Sequence, residues 1–162
     1  MVDTSNYIGI GQMRISKDPT TILIAPNLGS CLGIAIYDPV KKVGGLIHCL
    51  LPLSKSNPEK AEKEPYHFVD TGLVTMLQEF IKQGCDKKNL MISVAGGSNI
   101  NDENKVFEIG ARNYTVLKKV LWKNNLLLKG EDCGDSISRT VTLNIGTGEV
   151  FVKSQGVQKQ LM

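Results

Sequence analysis

No stretch of the 162-residue sequence approaches the ~18 consecutive apolar residues that a bilayer-crossing helix needs, so membrane insertion is not expected. Met1 to Asn6 hold no basic cluster leading into an apolar run, and no export signal is read there. The four cysteines (Cys31, Cys49, Cys85 and Cys133) show neither CxxC spacing nor a dense framework. Free thiols, a cytoplasmic location and no metal site are therefore expected. A strong excess of one charge is missing too: 19 Lys and Arg stand against 16 Asp and Glu, and the lysines are scattered among acids. Such a pattern offers no stripe for tracking phosphates, and nucleic acid is not an expected partner. Gly96-Gly97-Ser98-Asn99 has neither the GxGxxG nor the GxxxxGK[ST] spacing, so no nucleotide cofactor is expected. No internal repeat is present.

What remains is a chain with 41% hydrophobic residues, enough for a core, punctuated by 16 glycines and six prolines. That punctuation favours short strands over a helical bundle. Strands are read at residues 7–15 and 20–25, then at 31–37 and 43–51 as a hairpin turning at 38–42. Residues 54–65, with mixed charge between prolines, read as a mobile surface loop. Apolar residues at 73, 74, 77, 80 and 81 predict a helix over 70–83, stopped by Gly84. Further strands are read at 89–95, 125–131, 139–145 and 149–153, and a second helix at 110–123. The whole is one α/β domain, residues 1–162, with a flexible tail after about residue 153.

Chemistry concentrates at Cys31. It follows the polar turn Asn27-Leu28-Gly29-Ser30 and opens a strand, where solvent can reach a thiol and backbone N–H groups can point at a bound carbonyl oxygen. Asn27, Gly29 and Ser30 are accordingly candidates for the oxyanion pocket. The plain alternative is a small buried hydrophobe. His48 bears on the choice. A two-residue loop at Pro39-Val40, or a four-residue loop closed by Tyr37 and Lys42, pairs residues whose numbers sum to 79, and sets Cys31 directly opposite His48. Opposed Cβ atoms lie about 4.5–5.5 Å apart, close enough for imidazole to take the thiol proton. The imidazolium so formed holds the thiolate below its usual pKa. Gly29 and Gly33, on the same face, leave room for a substrate side chain. His48 alone could equally be a satisfied core histidine.

Leu28-Gly29-Ser30-Cys31, Tyr37-Asp38-Pro39, Gly44-Gly45-Leu46-Ile47-His48 and Leu51-Pro52 come in that order. Phe68 and Asp70, Gly96 to Asn99, Ile109 to Asn113, and Glu131-Asp132 with Gly134 follow. This series, from about residue 8 to residue 153, resembles the CheD family of chemoreceptor glutamine deamidases. The resemblance implies a layered α/β/β sandwich with mostly antiparallel strands and two main helices. It implies hydrolysis of receptor glutamine amides to glutamate through a Cys31 thioester, with His48 as base. The partners it implies are chemoreceptor cytoplasmic helices and a CheC-type phosphatase, and a catalytically weakened module that only binds that phosphatase is the alternative. A receptor methylesterase is a close variant of the same acyl chemistry.

One position departs from the family. A threonine six residues before the cysteine completes the family's Cys-His-Thr set; here Ala25 stands there. A backbone carbonyl, Asn27 or Thr21 could orient His48 instead. Among other polar residues, Asn99 either lines the pocket or satisfies a turn. Asp70 is read as a helix cap, Arg112 and Asn113 as structural pairing groups, His67 as a surface residue and Cys49 as packing.

Overall fold

The computed structural model describes residues 6–100 and 108–162. Two sheets and a helical layer are stacked, an α/β/β sandwich. Strands β1 (Met13–Ser16), β4 (Val43–Cys49), β3 (Leu32–Asp38), β5 (Met91–Gly96) and β6 (Leu128–Cys133) lie side by side in that order in the central sheet. All its neighbours are antiparallel except the β5–β6 pair. The outer sheet runs β2 (Ile22–Leu28), β7 (Arg139–Asn144), β8 (Val150–Ser154) and β9 (Val157–Gln160), antiparallel throughout. Helices α2 (Val69–Lys82) and α3 (Ile109–Lys123) cover the other face of the central sheet, and the short α1 (Pro58–Lys63) precedes them. No helix among the described residues is long and apolar enough to cross a membrane.

Alternation along β3 divides the core. Leu32, Ile34 and Ile36 join Leu73, Met76, Phe80 and Leu117 beneath the helices. Cys31, Ala35 and Tyr37 join Leu23, Ala25, Val141 and Leu143 between the sheets. Tyr37 crosses that layer and donates its hydroxyl to the Ile145 carbonyl at 3.0 Å. Helix α2 ends because Gly84 takes φ +87° and Cys85 N–H reaches back to the Phe80 carbonyl at 3.1 Å.

Four sequence expectations are corrected. The strand expected over residues 7–15 is two pieces. Ile8 N–H donates to the Ile24 carbonyl at 2.6 Å beside the outer sheet, the chain turns at Gly11 (φ +78°), and Met13–Ser16 pairs with β4. The loop at 54–65 instead holds α1, nucleated by the Asn57 side chain accepting from Lys60 N–H with Pro58 in the first turn. Asp70 is not the cap of α2, which opens at Val69. Its carboxylate accepts from Ser54 N–H at 3.0 Å and Ser54 Oγ at 2.8 Å, pinning the preceding segment to the helix. In place of a flexible tail after residue 153, β8 runs through Ser154 and β9 pairs back on it, with Leu161 and Met162 packed against the inter-sheet core.

Candidate active site

The β3–β4 hairpin closes at Asp38↔Val43, not at Tyr37 and Lys42, and Gly33 rather than Cys31 stands opposite His48. Asp38 sets this register. Its Oδ1 accepts from Val40 N–H at 2.8 Å and Lys41 N–H at 3.2 Å, and its carbonyl accepts from Lys42 N–H at 2.8 Å, with Lys42 in the left-handed region at φ +56°. A carboxylate that nucleates the turn belongs at its first corner, so the loop spans residues 39–42. The shift is two residues, and a two-residue shift preserves sidedness. Cys31 and His48 therefore still face the inter-sheet layer, Cys31 one residue beyond the end of the ladder.

His48 is 3% exposed and held in one orientation. Its Nδ1 lies 2.9 Å from the Ile8 carbonyl, an acceptor that fixes the proton on Nδ1 and leaves Nε2 with its lone pair free. Nε2 has no hydrogen-bond partner among the described residues. Of the three orienting groups open in the sequence, the backbone carbonyl is the one in place. Asn27 is exposed on the bulge between Ala25 and Leu28, at φ +56°, and the Thr21 hydroxyl faces Asp18.

The turn carrying the thiol is tied down by its carbonyls. The Gly29 oxygen accepts from Ser98 N–H at 2.9 Å, the Ser30 oxygen from Asn113 Nδ2 at 2.9 Å, and the Cys31 oxygen from Gly97 N–H at 2.9 Å. No backbone or side-chain oxygen among the described residues accepts from the N–H groups of Gly29, Ser30 or Cys31. A turn whose carbonyls are used, and whose Gly29 and Ser30 N–H groups meet no acceptor among the described residues, suits a developing oxyanion; the Cys31 N–H turns to its own sulfur. Gly96, at φ +114°, is required: a Cβ there would sit 2.1 Å from the Cys31 carbonyl oxygen. Beside this turn, a cleft of about 230 Å³ is lined by Gly97, Asn99, Gly110 and Asp135.

Electrostatics departs from the expected thiolate–imidazolium pair. Cys31 is 5% exposed rather than open at a rim, and burial pushes its thiol up to about 11. Burial also lowers His48, against the smaller opposing effect of the Ile8 carbonyl. Burial thus favours the neutral form of both groups. Room is distributed differently as well. The space expected at Gly33 is filled by Leu28, whose Cδ1 lies 2.8 Å from where a Cβ would be, whereas nothing lies within 4 Å of that point at Gly29. Among the described residues, the open space beside the turn lies at Gly29 and not at Gly33.

Comparison with known sequences decides the family. A sequence model described as CheD chemotactic sensory transduction matches residues 50–154. A probable chemoreceptor glutamine deamidase of Syntrophus aciditrophicus is 44% identical over 149 residues, 92% of this chain and 93% of that one. The chain belongs to the CheD family. Similar proteins of the same printed name, from Solibacter usitatus and Anaeromyxobacter dehalogenans, are 39% identical over 155 residues (96% of this chain, 92% of that one) and 37% over 147 (91% and 92%). The family model begins beyond both Cys31 and His48. The Syntrophus match, leaving only 13 of the 162 residues outside its 149, spans both.

For this CheD chain the remaining site residues fall as follows. Asn99 satisfies a turn and also borders the cleft: its N–H donates to the Asp135 carbonyl at 2.9 Å and its Oδ1 accepts from Ser136 Oγ. Cys49 is fully buried on the helical side, and its thiol is pushed up by burial. His67 is not a surface residue: it is 9% exposed and packs edge-on against Phe68. Cys85 and Cys133 join no group of three or more His, Cys, Asp or Glu placed to hold a metal among the described residues.

Arg139 was missed. At 1% exposure it reaches from the outer sheet to the Gly134 carbonyl (2.9 Å) and the Gly96 carbonyl (3.3 Å), and its Nε lies 3.3 Å from Asp132 Oδ2. That last contact is an ion pair and not an aligned hydrogen bond, since Nε is otherwise unpartnered. Arg139 alternates in phase with the inward-facing Val141 and Leu143, which is the sequence signal that could have revealed it.

Proposed function

We propose that this protein deamidates glutamine side chains of chemoreceptor cytoplasmic helices, with Cys31 as nucleophile and His48 as general base and then acid. The observation that carries the reading is the free, oriented Nε2 of His48 on the same face as the Cys31 thiol, beside a turn whose Gly29 and Ser30 N–H groups meet no acceptor among the described residues. That similar proteins are named chemoreceptor glutamine deamidases supports the substrate class. Nε2 takes the thiol proton as sulfur bonds to the carboxamide carbon, and the oxyanion is received by N–H groups of the Gly29–Cys31 turn. The protonated imidazole gives that proton to the amide nitrogen, ammonia leaves and a thioester remains. Water, losing a proton to Nε2, adds to the thioester; the C–S bond breaks, sulfur recovers the proton, and glutamate is released. One water is consumed and one ammonia formed per turnover.

Two observations favour a second reading, a module that engages a CheC-type phosphatase without turnover: Ala25 brings no hydroxyl, and the thiol is buried and neutral. Mass spectrometry of a receptor cytoplasmic fragment separates the two. Each deamidation adds about one mass unit, because OH replaces NH₂. Deamidation by wild type and none by Cys31→Ala is expected; a silent wild type leaves the binding module. The pH profile adds a check. A lowered His48 keeps its basic form to more acid pH than an ordinary histidine. The rate should therefore hold through neutrality and fall only below the usual histidine value near 6.5.

A further inference from the structure

The β3–β4 ladder ends at Leu32↔Cys49, one step short of the nucleophile. Beyond it the two chains separate: Leu51 N–H, whose next ladder partner would be the Ser30 carbonyl, turns instead to the His67 carbonyl at 3.1 Å. Asn113, fully buried on the second turn of α3, spans the opening. Its Nδ2 donates to the Ser30 carbonyl at 2.9 Å and to the Leu50 carbonyl at 3.0 Å. Interchanging its amide oxygen and nitrogen would set Oδ1 against two carbonyl oxygens, so the orientation is settled by its partners. Oδ1 itself is buried without a partner, an unfavourable state for an amide oxygen. The side chain is thus placed for its two donors, which act as the missing rung between the strand entered after Cys31 and the strand left after His48.

We propose that Asn113 is the positioning residue of this site, holding the Cys31 turn against the end of β4 so that the thiol is kept within reach of His48 Nε2. The proposal rests on the Cys31–His48 reading above. Its test is a double-mutant cycle on the rate at which iodoacetamide alkylates Cys31 at neutral pH, with peptide mass spectrometry resolving Cys31 from the other thiols. His48→Ala should slow this labelling about tenfold in the wild-type background. In Asn113→Ala or Asn113→Asp, which keep little or much of the shape but neither donor, the loss on removing His48 should shrink below about twofold. Val116→Ala, a cavity in the same helix away from the turn, serves as the control for lost stability and should keep the full His48 effect. Receptor deamidation by Asn113→Ala should fall up to about 100-fold in kcat with little change in KM, the mark of misplacement rather than lost binding. An undiminished His48 effect in the Asn113 variants overturns the positioning role alone. An equal loss in Val116→Ala also overturns it, by reducing Asn113 to a stability residue. No His48 effect even in the wild-type background overturns the Cys31–His48 reading, and the positioning role with it.

Discussion

The two sheets are built from similar short strands, yet the middle of one is buried on both faces while β7 of the other is buried on one. Every residue of β3 and β4 is buried, because helices cover one face of the central sheet and the outer sheet covers the other. Along β7 burial alternates from Arg139 to Asn144, since only its inner face is covered. The candidate site lies on the seam, with side chains from the central sheet pointing into the layer the outer sheet closes. A doubly covered sheet can bury Cys31 and His48, and that burial favours their neutral forms. The cost is that its sidedness cannot be read from hydrophobic alternation.

Substitutions should separate the two sheets by what they affect. The largest expected effect is on activity: Cys31→Ala should reduce receptor deamidation to background while costing about 1 kcal/mol of stability, the loss of one sulfur from the seam. Thr142→Ala on the open face of β7 should change neither by a measurable amount; activity equal to wild type in the cysteine variant would remove the central sheet's claim to the chemistry. Next comes the junction. Asp132→Ala leaves the buried Arg139 guanidinium with carbonyl oxygens alone, and urea denaturation should show a loss of about 3 kcal/mol. A loss below about 1 kcal/mol would place the ion pair with ordinary surface pairs.

Ala25→Thr probes the seam from the outer sheet. Ala25 is fully buried, with its Cβ 3.6 Å from where a Gly33 side chain would begin, and Ile8 already orients His48. The added atoms should cost about 1–3 kcal/mol of stability without raising the single-turnover rate. A faster variant would mean that the Ile8 carbonyl is the weaker orienting group. Smallest is Tyr37→Phe, which removes the hydroxyl bridge between the sheets and should lower stability by about 1 kcal/mol in thermal melts, with kcat unchanged.

The sequence by itself determined much of this protein. Helical periodicity placed α2 and α3 within a residue or so, since apolar stripes at that spacing can bury themselves only as helices. The ordered motifs carried the family, and residue type and spacing made Cys31 and His48 the candidates. Their shared face was legible because side chains alternate in a strand, so an even error in register leaves sidedness intact. Tertiary structure alone decided the rest. The hairpin closed two residues from the expected register because a buried Asp38 carboxylate chose the turn. His48 is oriented by the Ile8 carbonyl, a group every residue carries and no sequence pattern marks; it arrives only because the chain crosses between sheets at Gly11. The neutral thiol is likewise a product of packing, since burial disfavours charge and burial depends on what the rest of the chain lays over Cys31.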